Sequence, residues 1–220
     1  MTALPSPPRD QPGCAGLLLA AGAGRRLGTP KALLRGPDGR ARVQVVVDQL
    51  RRAGCEPVHV VVGAAPTEVA ALVTGAVIVP APDWAEGLGA SLRAGLRSLE
   101  PTAADAVLIM LVDLPGVGEA AMRRVLAAGT ASGNPAATAK VRAHWRREPG
   151  HPVLLGRAHW PAALGTAHGD RGARALLSGS GTTGVECSDL GDGHDVDVPQ
   201  DAVRARLRPP EALPPDEDRP

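Results

Sequence analysis

The stretch LLLAAGAGRRLGTPK, residues 17–31, decides how this chain is read. It opens inside a continuous apolar run, residues 15–21. Such a run fits a parallel strand buried on both faces. The run ends in Gly22, Gly24 and Gly28, and Lys31 follows. Glycines let the backbone close on a ligand and turn its N–H groups toward it. Arg25, Arg26 and Lys31 put positive charge in the same loop. Backbone donors combined with mobile cations suit a triphosphate. The plainer alternative is a strand-to-helix turn with solvated arginines. Two familiar phosphate loops are excluded. The dinucleotide fingerprint requires a glycine where Leu27 stands, and no acid ends the next apolar run at Val62. The Walker loop requires Gly-Lys-Ser/Thr, but Lys31 lies between Pro30 and Ala32.

Outward from this loop, apolar runs alternate with helical patterns. Residues 42–53 place Val43, Val46, Val47 and Leu50 at helical spacing, with Gly54 after them. Strands are expected at 58–62, 76–79 and 106–112, and helices at 66–73, 89–99 and 119–128. The less regular second half suggests strands at 135–141 and 152–155 and helices at 171–177 and 199–207. This alternation predicts a layered α/β fold with a mostly parallel sheet. Ligands in such sheets bind beyond the carboxyl ends of the strands.

Composition narrows the function. The net charge of +1 gives no electrostatic case for a nucleic-acid partner. Tyr and Phe are absent, so aromatic stacking falls to Trp84, Trp145 and Trp160. The three cysteines, Cys14, Cys55 and Cys187, are isolated, which argues against a disulfide framework or a zinc site. Residues 15–21 are too few to span a bilayer, and no basic-then-apolar leader precedes them. A cytoplasmic protein without a membrane partner is expected. Residues 1–13 and 209–220 are rich in Pro and polar groups and are expected to be disordered, leaving 14–208 as the folded domain.

Two acidic motifs complete the chemistry. Asp113-Leu114-Pro115 follows the apolar run 106–112 directly. A carboxylate there points into the ligand crevice and suits Mg²⁺, while an Asp in an ordinary turn is the alternative. In HDVDVPQD, residues 194–201, the acids could cap a helix beginning near Pro199, which covers Asp201 well and Asp195 partly. Asp197 lies in a short extended segment between Val196 and Val198.

The loop resembles the signature of the MobA-like nucleotidyltransferases, with Leu19, Ala20, Ala21, Gly22, Arg26, Gly28 and Lys31 matching its pattern. The resemblance extends over residues 15–205. It is nearest to the branch holding molybdenum-cofactor cytidylyltransferases and nicotine blue oxidoreductase-like proteins. It implies a three-layer Rossmann-like nucleotidyltransferase fold. It also implies that Leu19, Ala20, Ala21, Gly22, Gly24, Arg26 and Lys31 bind a nucleoside triphosphate. CTP is favoured because Ala21 stands where guanylyltransferases often carry glycine. Arg26, Lys31 and Asp113 are then catalytic, and Asp113 and Asp197 share one Mg²⁺ with their carboxylates within about 6 Å. Three further elements match the family: DWAEGLGASL at 83–92, GHPV at 150–153 and GDRGAR at 169–174. They imply an acceptor site built from Trp84, Gly87, Ser91, His151, Arg171 and Arg174. Asp170 reads as the cap of the following helix. The implied acceptor is a small phosphorylated molecule such as molybdopterin, and the implied protein partner is a molybdoenzyme or its maturation factor. Two other classes stay open. One is an NAD(P)H-dependent oxidoreductase on the same fold, and the other is a nucleotide-binding module without turnover.

Overall fold

A computed structural model describes residues 13–131, 136–179 and 181–210. The expected disorder of residues 1–12 and 211–220 lies outside the described residues. The elements run β1 (Cys14–Leu19), α1 (Arg42–Arg52), β2 (Val58–Val62), α2 (Pro66–Leu72), β3 (Val77–Pro80), α3 (Leu88–Leu99), β4 (Ala106–Leu111) and α4 (Glu119–Thr130). The second half adds β5 (Lys140–Trp145), β6 (Glu148–Gly156), α5 (Trp160–Thr166), α6 (Arg174–Leu177), β7 (Thr183–Glu186) and α7 (Pro199–Arg204). All seven strands join one sheet in the order β3-β2-β1-β4-β6-β5-β7. Strands β1 to β4 are parallel, and β6 runs against both β4 and β5.

The apolar runs explain the centre of the sheet. Leu18 of β1 and Ala20 just beyond it face one layer of core with Val43, Val46 and Leu50 of α1 and Met122 and Val125 of α4. Leu17 and Leu19 face the other, with Leu92, Leu96 and Leu99 of α3 and Trp160 and Ala163 of α5. A strand with apolar residues on both faces must be covered on both, hence three layers.

The second half departs from expectation in several places, α5 among them. The strand expected at 135–141 begins only at Lys140, and Ala136–Thr138 form a 3₁₀ turn. In KVRAHW, Val141, Ala143 and Trp145 are buried while Lys140, Arg142 and His144 alternate with them, so charge masked the period of two. The helix expected at 171–177 is broken, because a 3₁₀ turn at Gly169–Arg171 ends at Gly172 and α6 begins at Arg174. Asp170 therefore sits inside that turn, and Ala173 precedes α6. Residues 196–198 pair with no strand, and β7 was not foreseen.

A small satellite core draws the C-terminal segment back to the glycine loop. Leu34, Val196, Ala202 and Leu207 pack together beside the main cores. Arg35 and Arg208 exchange backbone hydrogen bonds of 2.8 and 2.9 Å, and Val196 N–H donates to Asp113 O at 3.0 Å.

Leu108 is fully buried in β4, whereas Val203 is 75% exposed. Leu108→Ala is expected to cost about 2–5 kcal/mol in urea unfolding, and Val203→Ala under about 0.5 kcal/mol. Equal costs would contradict a core centred on β4.

Candidate active site

The site forms where β1 and β4 end side by side. Leu19 and Leu111 are register partners, so the loop after β1 and the turn after β4 leave the sheet together. Gly24 has φ +60°, and a Cβ there would lie 1.9 Å from Thr29 O. No other residue fits this closure, which lets Leu27 and Gly28 donate to Gly24 O at 2.9 and 2.8 Å. The curl brings Lys31 back over the sheet edge.

Lys31 Nζ donates to Asp113 Oδ2 at 2.8 Å and to Asp197 Oδ1 at 2.5 Å. Arg26 reaches Asp197 Oδ2 at 3.1 Å from the solvent side. Burial alone would pull the Lys31 ammonium down, but Asp113 and Asp197 hold it above the usual lysine value. The Lys31 hydrogen bond and charge, with Arg26, hold the Asp197 carboxyl below the usual range against its burial. Oxygens of Asp113, Asp195 and Asp197 lie within 4.8 Å of one another. That agrees with the expected proximity of Asp113 and Asp197 and adds Asp195. Capping falls to Asp201 instead, whose Oδ2 accepts from Asp197 N and Val198 N, each at 3.1 Å. Asp113 Oδ1 is buried without a hydrogen-bond partner. An oxygen-only donor set with an orphaned carboxylate oxygen fits a hard divalent cation.

Arg42 was not foreseen as part of this neighbourhood, because a charge at the first position of a helix is ordinarily solvated. Here it is only 6% exposed, and its guanidinium donates to Leu114 O at 3.3 Å. Burial pushes it down to about 10, against the pull of Asp113 and Asp38. It braces the turn that carries Asp113.

A cavity of about 300 Å³ opens beside the carboxylates. Leu19, Ala21, Gly22, Arg25, Lys31 and Asp113 line one side of it, and Trp84, Gly87, Ser91 and Asp170 line the other. The close approach of Gly63 sets this wall, since a Cβ there would lie 2.5 Å from the Trp84 ring. Candidates expected for the nucleotide thus share one space with three expected for the acceptor. Ala20 is absent from that lining and packs into the core with α1 and α4. Asp195 lines a separate cavity of about 520 Å³, with Pro115, Gly116, Asp192, His194, Asp201 and Arg204.

His151 and Arg174 do not line the smaller cavity. The side chain of Arg171 lies outside the described part of the structure. His151 is half-buried, just before the buried part of β6, and its carbonyl accepts from Trp145 Nε1 at 2.9 Å. Burial, then the nearby Arg142, push the imidazole down to about 4.

That shift has a stability consequence. The unfolded chain takes up a proton on His151 below the ordinary value near 6.5, whereas the folded chain resists until about 4. Stability is therefore full above pH 6.5 and falls as the pH drops toward 4. His151→Gln is expected to recover about 2 kcal/mol of the loss between pH 7 and pH 5 in urea titrations. An unchanged pH slope would place the imidazole in water.

With the geometry established, three comparisons bear on it. A sequence profile for the MobA-like NTP transferase domain matches residues 16–185. The chain is 34% identical over 203 residues to nicotine blue oxidoreductase of Paenarthrobacter nicotinovorans, covering 89% of this chain and 97% of that one. A Mycobacterium sp. strain JC1 homolog of M. tuberculosis Rv0371c superposes with a TM-score of 0.73 at 30% identity, covering 87% and 93% of the two chains. Rv0371c of Mycobacterium tuberculosis H37Rv, solved in complex with manganese, superposes with a TM-score of 0.69 at 28% identity, covering 88% and 97%. The glycine loop and the aspartate after β4 both fall within the matched residues. This chain belongs to the MobA-like NTP transferase family and is an enzyme of the nucleotidyltransferase type.

Proposed function

We propose that the enzyme transfers a nucleoside monophosphate, CMP from CTP by preference, to a small phosphorylated acceptor such as molybdopterin. Pyrophosphate is released, and Mg²⁺ is required. The observation that carries this reading is the group of three carboxylates held beside the glycine loop, with an unpartnered Asp113 oxygen among them. The manganese found with Rv0371c of M. tuberculosis supports a divalent cation on this fold. Asp113 and Asp197 would hold it, with Asp195 as a third donor. A bound divalent cation supplies neutralisation of charge on the α-phosphate and on the leaving pyrophosphate.

The protein groups do the rest. Backbone N–H groups of the loop carrying Gly22 and Gly24 cradle the triphosphate. Lys31 and Arg26 exchange their carboxylate partners for phosphate oxygens, so their charge follows the substrate. Trp84, Gly87 and Ser91 form the wall against which the acceptor packs. An oxygen of the acceptor phosphate forms a bond to the α-phosphorus while the α–β bridging bond breaks. The electron pair of that bond leaves with pyrophosphate, and a dianionic acceptor phosphate needs no base. Positioning and charge neutralisation account for catalysis without a covalent enzyme intermediate. On this reading the protein works in the cytoplasm in molybdenum cofactor synthesis, and residues 14–208 form the catalytic domain. The product would pass to a molybdoenzyme or its maturation factor.

A second reading, NAD(P)H-dependent reduction, is favoured by the identity to nicotine blue oxidoreductase. The interrupted dinucleotide fingerprint at Leu27 speaks against it.

One assay separates the readings. Each NTP is offered with Mg²⁺ and candidate acceptors, and pyrophosphate release and NADPH oxidation are followed in parallel. Acceptor-dependent pyrophosphate release, highest with CTP, is expected. Asp113→Asn should lower it on the order of 100-fold or more, and Asp197→Asn less. Lys31→Ala should weaken NTP binding and slow turnover while the fold survives. NADPH oxidation without pyrophosphate release would overturn the proposal, and nucleotide binding without either reaction would leave a binding module.

A further inference from the structure

We propose that Lys31 keeps the divalent-cation site closed in the free enzyme, so that the metal is admitted only together with the triphosphate that draws Lys31 away. The proposal rests on the nucleotidyltransferase reading above and adds the order in which that site fills.

Position supplies the first argument. Lys31 Nζ lies 2.8 Å from Asp113 Oδ2 and 2.5 Å from Asp197 Oδ1, in the gap between the two carboxylates. A metal ion held by both aspartates has to displace the ammonium from that gap. Arg26 closes the same group from the solvent side, at 3.1 Å from Asp197 Oδ2. The aspartates are therefore not free ligands waiting for an ion.

Charge supplies the second argument. Asp113, Asp195 and Asp197 bring three negative charges together, with oxygens within 4.8 Å of one another. Lys31 and Arg26 pair with this group directly. The guanidinium of Arg42 stands one residue beyond Asp113, donating to Leu114 O at 3.3 Å. The next acid in line, Asp201, has Arg204 at 3.7 Å. Three carboxylates are thus met by three cations, and a divalent ion arriving alone finds little net negative charge. An ammonium within about 4 Å of such an ion also repels it directly.

The three cations differ in their freedom to move. Lys31 has a flexible four-carbon stem and lines the 300 Å³ cavity beside Gly22 and Arg25. The side chain of Arg26 is 74% exposed. Arg42 is buried and fixed on Leu114 O. A triphosphate in the glycine loop therefore draws off Lys31 and Arg26 and leaves Arg42 behind. The carboxylates regain their negative charge, and phosphate oxygens now stand beside them. Both changes favour a hard divalent ion. Such coupling is reciprocal, so metal and NTP each tighten the binding of the other.

The test reads binding without turnover. Mn²⁺ is titrated into the full-length, nucleotide-free protein, and the free ion is counted by electron paramagnetic resonance. Lys31→Met is expected to bind Mn²⁺ at least 10-fold more tightly than the wild type. Lys31→Arg, which keeps the charge, should stay near the wild-type affinity. Adding Asp113→Asn to Lys31→Met should abolish the gain. Arg26→Met, at an exposed position, should tighten Mn²⁺ by a smaller factor of about 3-fold. That variant keeps the test decisive if Lys31→Met loses its cooperative melt. A lysine that served only to hold the loop would lower the metal affinity when replaced. Equal or weaker Mn²⁺ binding in Lys31→Met and Arg26→Met than in the wild type would overturn the proposal. Pyrophosphate release by the wild type tests the underlying reading separately. Its absence beside a Mn²⁺ gain in Lys31→Met would support the closed site and count against the nucleotidyltransferase reading alone.

Discussion

The ammonium of Lys31, shared between Asp113 and Asp197, ties together three parts of the chain that are remote in sequence. Two carboxylates held this close, partly shielded from water, both stay ionised only with positive charge beside them. Lys31 meets that demand, and the rest of the local structure serves to deliver it. Gly24 closes the loop so that Lys31 turns back over the sheet. Arg42 braces the turn that presents Asp113. The satellite cluster around Leu34 and Val196 draws the last acidic segment over both. A charge balance met by a mobile lysine is also one that a substrate can take over, since the same cation serves a triphosphate equally well.

Much of the first half was legible in the sequence. Strands β1, β2 and β4 are uninterrupted apolar runs between polar turns, and buried parallel strands have few other ways to look. The glycine loop and Asp113 stood out in the sequence because each follows such a run directly. The acidic ending was readable only in part. In DVDVPQD, helix capping and metal ligation call for the same residue type before Pro199, and sequence cannot assign the acids between them. The fold divides them by geometry. Asp201 takes the backbone N–H groups, whereas Asp195 and Asp197 flank Val196, which is pinned to Asp113 O.

The second half was less legible for a different reason. Strand β5 carries Lys140, Arg142 and His144 on alternate positions, so no apolar run marks it, and its partner β7 is short and exposed. Arg142 gave no signal in sequence because its meaning depends on what surrounds it. Like Arg42, it has a buried Nε without a hydrogen-bond partner, which sets these two apart from the exposed arginines. Similarly, Gly63 carried no motif, yet its lack of a side chain lets Trp84 stand against the end of β1.

On the proposed reading, the aspartates and the nucleotide phosphates share one divalent ion. Pulsed electron paramagnetic resonance of Mn²⁺ bound with α,β-methylene-CTP reads this contact directly, through the hyperfine coupling between the ion and ³¹P. A single Mn²⁺ coupled to phosphorus in the wild type, with the coupled species lost in the Asp113→Asn, Asp197→Asn double variant, is the expected result. The same ³¹P coupling and the same Mn²⁺ affinity in that variant would show that the ion rides on the nucleotide alone, and would remove these carboxylates from the chemistry.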